Sequence, residues 1–285
     1  MRNNSETFVD VEGLRDGDLW NHLFGPLHEP ALKLTSKSGF KVGSFPTRKG
    51  RGRFDLIQTR DEIVHDFLYL AETDFDIVKI VAFPMRVAYW IGDAPFTHVA
   101  DLGLGHRDGG ITFVDVRRYG DIVTNAGAIE RAAIRSDHYA SQHGCTYVMH
   151  DERKVYPEPL FSNAKEMCHI ARPQGRLPAY GEIRNAILRM RLPMTIHEIM
   201  QASHFNAMTW RYADEPAEAG RVLSEINPVY EIVLELVDRG DLWIDEARAF
   251  DLDSMVYFTE FAGIHRGPRF DHGFLLPQNR QGVDP

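Results

Sequence analysis

The sequence predicts an α/β protein built around a mixed sheet, followed by a smaller α-rich unit. Between residues 60 and 150 an amphipathic helix is followed by three strand-like segments, a second helix and another strand. This order is typical of α/β domains with a mixed sheet. A chain of 285 residues is long enough for one large domain or two modest ones.

The N-terminal part, residues 1–57, is predicted to be irregular, with glycine and proline residues and short helices at most. The first amphipathic helix begins near Arg60, where apolar side chains recur at helical spacing. These side chains are Ile63, Val64, Phe67, Leu68 and Ala71. The segments IVKIVAF and MRVAYWI that follow are predicted strands.

Residues 97–120, THVADLGLGHRDGGITFVDVRRYG, are predicted to form two strands joined by the tight turn RDGG. The first strand holds Asp101, and the second holds Asp115 and Arg117. Side chains at positions i and i+2 of a strand point to the same face, so Asp115 and Arg117 are expected on one side. The two aspartates are either a metal-dependent site or ordinary charges of a surface hairpin.

The next two elements complete the predicted α/β domain. The helix GAIERAAIRSDHYASQHG is predicted to end at Gly144, because glycine adopts the left-handed conformation that ends helices. The segment CTYVMH after it is predicted to be a short buried strand.

A second unit is predicted from residue 173 to residue 260. Thr195 and Glu198 form a capping box, which marks the start of a helix. Another helix is predicted to begin after Asn227 and to end at Gly240. The strand-like segments LWID and SMVYF follow, and two helices with a two-stranded wing are typical of a winged helix. Residues 261–285 are predicted to be a flexible tail.

Composition and charge limit the possible functions. The net charge of −9 argues against a protein that binds nucleic acid with its whole surface. However, the stretch from Lys33 to Arg53 holds seven basic residues and no acid. Such a basic arm either neutralises DNA phosphates or is a solvated loop.

No segment of the sequence suggests a membrane or secreted protein. The apolar runs are too short to span a bilayer, and the N-terminus lacks the apolar core of a signal peptide. Two cysteines provide no disulfide framework. We therefore expect a cytoplasmic protein with no membrane partner.

Carboxylates on adjacent strands can hold a divalent cation, because Mg²⁺ prefers hard oxygen ligands and leaves its other positions to water and phosphate. Such an ion activates water and stabilises the charge that develops on a phosphodiester during attack. Asp101 and Asp115 are therefore candidate metal ligands. The alternative is that they are common surface charges without a ligand.

The segments GSFPTRKGRGRF, VHDFLYLAETDFDIVKIVAFP, HVADL and FVDVRR occur in this order in the chain. Their order resembles the TnsA-like endonuclease subunit of heteromeric transposases. The resemblance implies a PD-(D/E)XK nuclease fold over residues 58–172 and a C-terminal winged helix over 173–260. It also implies Mg²⁺ or Mn²⁺ as cofactor, and DNA and a partner transposase or regulator subunit as partners.

The resemblance also implies roles for individual residues. Asp101 matches the metal-binding aspartate, Asp115 matches the second acid, and Arg117 falls where the family has its lysine. The family's helix glutamate falls on Val64 in an ungapped alignment. A small shift in register would bring Glu62 into that role, so Glu62 is a candidate catalytic residue.

Other positions depart from the family pattern. Ala100 replaces the proline before the aspartate, and Phe83 replaces the glutamine of a Gln-Pro pair. Arginine is not equivalent to lysine, since its planar fork differs from a compact point charge. Three hypotheses follow: an active Mg²⁺-dependent DNA endonuclease, a degenerate nuclease that binds DNA or docks a transposase or regulator, and a structural adaptor that never contacts DNA.

Overall fold

The computed structural model describes residues 16–34, 43–52, 55–170, 179–205, 209–212 and 223–260. The chain divides into two compact units, the first reaching Val155 and the second beginning at Tyr156. The boundary predicted from sequence lies later, at residues 172 and 173. Helix α6 (Leu160–Ile170) belongs to the second unit because its Met167 lies in the apolar core of that unit.

A four-stranded mixed sheet forms the centre of the first unit, which confirms the α/β class. Its strands, in spatial order, are β3 (Ile77–Ala82), β6 (Leu102–His106), β7 (Ile111–Val116) and β8 (Thr146–His150). Strands β3, β6 and β7 pair antiparallel, whereas β7 and β8 pair parallel. Every residue of β7 is buried, as expected for a central strand covered on both faces.

A separate two-stranded ribbon is formed by β4 (Arg86–Ile91) and β5 (Ala94–Val99). The predicted strand THVADLGL is therefore not continuous. It is interrupted at Ala100 and Asp101, because β5 pairs with β4 while β6 pairs with β3 and β7. Asp101 lies where the chain leaves the ribbon and enters the central sheet.

The predicted irregular segment contains regular structure within its described residues. Helix α1 (Asp16–Phe24) is followed by an antiparallel hairpin of β1 (Gly43–Thr47) and β2 (Asp55–Thr59). The inward-facing residues alternate with exposed ones along each strand, and they are Phe45, Thr47, Ile57 and Thr59. The basic and proline residues in this segment conceal the alternation, since proline is uncommon in strands away from sheet edges.

Of the four remaining helices in the described residues of the first unit, the first and third along the chain agree with the sequence prediction, whereas the two short ones are not predicted. They are α2 (Glu62–Thr73), α3 (Tyr119–Thr124), α4 (Ala128–His143) and the short α5 (Glu152–Val155). Asp61 caps α2, since its side chain accepts a hydrogen bond from the Val64 amide. Gly144 ends α4 with a φ of 67°, which confirms the predicted left-handed stop.

The second unit packs α6 with three further helices around one apolar core. These helices are α7 (Tyr180–Ile187), α8 (Ile196–Ser203) and α9 (Pro228–Arg239). The predicted capping box at Thr195 and the predicted cap at Asn227 are both present. Helix α9 is the central element, because α6, α7 and α8 all pack against it.

The strands of the second unit form two small sheets. Strands β9 (Met194–Thr195), β12 (Leu242–Ile244) and β13 (Met255–Phe258) pair antiparallel, with β13 in the middle. Strands β10 (Thr209–Tyr212) and β11 (Leu223–Ile226) form a hairpin between α8 and α9.

Two sequence expectations concern the molecule as a whole. Cys145 and Cys168 are both buried, and neither takes part in a disulfide bond. Among the helices of the described residues, none has the length and apolar character that crossing a bilayer requires. The predicted tail, residues 261–285, lies outside the described residues.

Candidate functional site

Asp101 and Asp115 lie opposite each other at one end of the central sheet. In the antiparallel pairing of β6 with β7, Leu102 is the partner of Val114. One step further along this register brings Asp101 beside Asp115. Asp101 is 2% exposed and Asp115 is fully buried, so both carboxylates need partners within the protein.

Asp101 is surrounded by two guanidinium groups and one backbone amide. Its Oδ2 accepts hydrogen bonds from Nη1 of Arg117 at 2.7 Å, Nη2 of Arg60 at 3.0 Å and the Val116 amide at 2.9 Å. Its Oδ1 lies 2.7 Å from Nε of Arg60, without the alignment of a hydrogen bond. Arg60 thus spans both oxygens of this carboxylate.

Asp115 concentrates its hydrogen bonds on a single oxygen. Its Oδ2 lies 2.7 Å from the Tyr147 hydroxyl, 2.9 Å from Nε2 of His98 and 3.2 Å from Nη1 of Arg135. Its Oδ1 accepts no hydrogen bond from the described residues and lies 3.4 Å from Nη2 of Arg117. One buried carboxylate oxygen is therefore left with an ion-pair contact alone.

Arg117 connects the two carboxylates. One of its amino groups contacts Asp101 and the other contacts Asp115, so its guanidinium lies across the pair. Asp115 and Arg117 are on the same side, as their spacing of two residues predicts. The side chain of Arg117 is 27% exposed and is the most accessible of the arginines in this cluster.

The two aspartates differ in how strongly they hold a proton. Burial and the neighbouring charge of Asp115 raise the pKa of Asp101, against the lowering effects of Arg60 and the Val116 amide. Burial also acts to raise the pKa of Asp115, but the charge and hydrogen bond of His98, with Tyr147 and Arg135, outweigh it and lower that pKa. Asp115 is therefore the more firmly ionised member of the pair.

Tyr147 and Arg135 complete the electrostatics around Asp115. Burial and the charge of Asp115 raise the pKa of the Tyr147 hydroxyl, so it remains a neutral hydrogen-bond donor. Arg135 donates hydrogen bonds to the hydroxyls of Tyr89 and Tyr147, both at 3.2 Å. The pKa of Arg135 is raised despite its burial, because these hydroxyls and Asp115 favour its charged form.

The donor set around the aspartates does not fit a divalent cation as the side chains stand. Mg²⁺ needs carboxylate oxygens together with positions open to water. Three of the four carboxylate oxygens here face donors of the protein, and three guanidinium groups already meet two negative charges. Across the described ranges, no group of three or more His, Cys, Asp or Glu side chains is arranged to hold a metal ion.

The helix residues that the family resemblance singles out lie apart from this donor set. Glu62 is exposed in the first turn of α2, and no hydrogen bond or ion pair joins it to a described residue. Val64 is buried in the apolar core. Asp61 acts through its charge, which adds to the rise in the pKa of Asp101. A catalytic role for Glu62 stays a prediction.

The described part of the basic arm is attached to the protein itself. Glu72 of α2 accepts hydrogen bonds from the Thr47 hydroxyl at 2.6 Å and from the amide of Arg48 at 2.9 Å. Nζ of Lys49 donates to the carbonyl oxygens of Ala71 and Asp74, at 2.9 and 2.6 Å. A cation at the carbonyl end of a helix is favoured by the helix dipole. These residues hold the β1–β2 hairpin against α2.

Four partners of the aspartates were not predicted from the sequence: Arg60, His98, Arg135 and Tyr147. For Arg135, the sequence does contain an indication that the side chain points into the protein. It lies three residues after Ala132 and four before Tyr139, both buried, so it belongs to the buried face of α4. A charged residue on the buried face of a helix requires a partner in the interior. No comparable local pattern marks Arg60, which precedes α2.

Comparisons with known proteins do not assign the chain to a family. No protein-family model matches it, and a search of the curated proteins returned no significant match.

Proposed function

We propose that this chain is a catalytically degenerate nuclease-fold protein that acts by docking a partner, in the manner expected of a TnsA-like subunit of a transposition system. The observation that carries this proposal is the pairing of both aspartates with arginines. Arg60 and Arg117 contact Asp101, and Arg135 and Arg117 contact Asp115. The carboxylates retain the paired arrangement of a metal site, but the protein supplies the positive charge.

The topology of the first unit is compatible with nuclease descent. Two aspartates lie side by side at the end of antiparallel strands, and a parallel strand follows a helix in the same sheet. In an ungapped alignment with the family pattern, Val64 and Arg117 fall on the family's glutamate and lysine. Loss of one preorganised donor in an active site typically lowers turnover by about 100- to 1000-fold, so arginine in place of the lysine, together with a missing metal ligand at Val64, favours a role without cutting.

Docking is favoured over DNA reading by the character of the second unit. Its order of β9, α8, α9, β12 and β13 is compatible with the expected winged helix, a class in which the second helix often enters DNA. Here α9 is largely buried and carries three acids, and its basic residue Arg239 pairs with Glu235. A helix with this burial and this negative charge is unsuited to contact the phosphates of DNA. A cytoplasmic location belongs to the same proposal.

A second candidate is the active, Mg²⁺-dependent DNA endonuclease. The specific observation in its favour is the closeness of the two carboxylates, which Arg117 bridges with contacts of 2.7 and 3.4 Å. In this case Asp101 and Asp115 would ligate the ion, Glu62 would assist from the helix, and Arg117 would position the attacking water.

A nicking assay separates the two candidates. Purified protein is incubated with supercoiled plasmid in millimolar Mg²⁺ or Mn²⁺, beside the Asp101→Asn variant. The docking proposal expects equal, background conversion to the nicked form with both proteins. Conversion by the wild type that disappears in Asp101→Asn would establish the endonuclease instead.

A further inference from the structure

We propose that the guanidinium of Arg60 is a built-in counter-cation that takes the place of a divalent ion at Asp101. By this inference the paired aspartates are a latent cation site, which becomes available when Arg60 is removed. The inference rests on the proposed function, because it explains how paired carboxylates persist in a protein that does not cut.

The contacts of Arg60 are those of a chelated cation. Its Nε and Nη2 approach the two oxygens of Asp101 at 2.7 and 3.0 Å. Nη2 also donates a hydrogen bond to the Val116 carbonyl at 2.7 Å, which anchors the guanidinium to β7. The Arg60 side chain is 17% exposed, so this pairing takes place largely away from water. The pair therefore combines one charge-assisted hydrogen bond to Oδ2, a class stronger than neutral hydrogen bonds, with an ion-pair contact to Oδ1.

The backbone position of Arg60 is fixed from both sides. It follows Thr59, the buried last residue of β2, and precedes Asp61, the cap of α2. Arg60 therefore lies between two ordered elements and is held at the aspartates. A residue placed in this way acts as a permanent component of the site.

Removal of Arg60 would free carboxylate oxygens suited to a metal ion. Oδ1 of Asp101 has Arg60 as its near partner, and Oδ1 of Asp115 accepts no hydrogen bond from the described residues. Mg²⁺ is commonly bound through one or two carboxylates with water in its remaining positions. The two Oδ1 atoms would provide such a pair, with Arg117 still in contact with Oδ1 of Asp115.

Calorimetric titration with Mg²⁺ and Mn²⁺ tests the inference, using wild type, Arg60→Ala, Arg60→Ala with Asp101→Asn, and Arg118→Ala. The Arg118→Ala variant is the matched control, because it removes the same charge from an exposed neighbouring position. We expect saturable binding by Arg60→Ala alone. Saturating metal should also raise the melting temperature of Arg60→Ala by about 2 to 4 °C and leave the other proteins unchanged.

Each outcome of the titration has a defined meaning. Wild-type binding as strong as that of Arg60→Ala, or no binding by Arg60→Ala, would overturn the inference. If Arg60→Ala does not fold, Arg60→Gln retains an amide donor for Asp101 and is tested in the same way, with the same criterion. If Arg60→Ala does not bind metal and the wild type does not nick plasmid, this inference alone is overturned. If the wild type nicks plasmid, the proposed function is overturned.

Discussion

At the level of single residues, the buried charge of Asp115 depends on a small number of side-chain donors. Tyr147, His98 and Arg135 all donate to its Oδ2. Burying an ionised carboxylate is costly unless it is hydrogen-bonded, so each donor offsets part of the desolvation cost. The network also joins β7 to the ribbon, to α4 and to β8.

The Tyr147→Phe substitution should reveal the contribution of one donor. The ring remains, but Asp115 loses its shortest hydrogen bond, of 2.7 Å. We expect the free energy of unfolding to fall by about 1.5 to 3 kcal/mol, the range for hydrogen bonds to charged groups. Urea denaturation measures this change. Tyr119→Phe at an exposed position is the control, and an equal loss there would contradict the interpretation.

His28 should make the stability of the protein depend on pH. It is 5% exposed, and neither ring nitrogen has a hydrogen-bond partner among the described residues. Burial, with the nearby charges of His22 and Arg51, lowers the pKa of His28 from 6.5 to about 4. The folded protein therefore keeps this imidazole neutral where the unfolded chain takes up a proton.

The sign of the effect follows from this difference in proton uptake. The contribution of His28 to stability is complete above pH 6.5 and is lost as the pH falls towards 4. Allowing for partial solvent screening, we expect a loss of about 1 to 2 kcal/mol over this interval. Denaturation at several pH values, beside His28→Leu, measures it. An identical slope in the variant would show that other groups are responsible.

At the level of elements, local sequence signals explain where the helices stop. Gly144 follows α4 with a φ of 67°, and its amide donates to the carbonyls of Tyr139 and Ala140. A residue with a Cβ atom is strained in this conformation. Gly120 lies in α3, and an added Cβ atom there would meet no atom within 4 Å. A side chain is therefore unfavourable at Gly144 but is accommodated at Gly120.

Gly144→Ala and Gly120→Ala should change stability in opposite directions. We expect Gly144→Ala to lower the free energy of unfolding by about 1 kcal/mol or more, because alanine is unfavourable at positive φ. Gly120→Ala should raise it by about 0.5 to 1 kcal/mol, since alanine favours the helical conformation. Thermal unfolding of both variants is the measurement. A destabilised Gly120→Ala would contradict the assignment of α3 as an ordinary helix.

At the level of the whole molecule, net charge and the use of the basic arm limit DNA binding. The chain carries a net charge of −9. Four of the seven basic residues between positions 33 and 53 make ion pairs or hydrogen bonds within the protein: Lys33, Arg48, Lys49 and Arg51. The others lie outside the described residues.

Binding of a labelled DNA duplex should therefore be weak and dependent on salt. If only the three arm cations outside the described residues contact phosphates, log K should fall with log salt concentration at a slope no steeper than about −3. Fluorescence anisotropy at several salt concentrations measures this slope. Tight binding that does not change with salt would show that another surface of the protein contacts DNA.

The sequence alone is sufficient to predict those features that depend on residues close together in the chain. Caps and periodicity predicted α2, α4, α8 and α9, because these signals lie within a few residues of one another. The spacing of Asp115 and Arg117 placed them on one side of a strand, and Arg117 does contact Asp115. The β1–β2 hairpin is not predicted, since proline lies within the short strand β1 and a run of basic and glycine residues separates the two strands.

The surroundings of the two aspartates, in contrast, follow from contacts between residues that are distant in the sequence. Arg60 is 41 residues from Asp101 in the chain, and Tyr147 is 32 residues from Asp115. Their meeting depends on which strands pair and on the packing of α2 and α4 against the sheet, which no local pattern encodes. The same two aspartates on an exposed hairpin would be accessible to a metal ion. Burial beside three arginines instead provides them with positive charge from the protein itself.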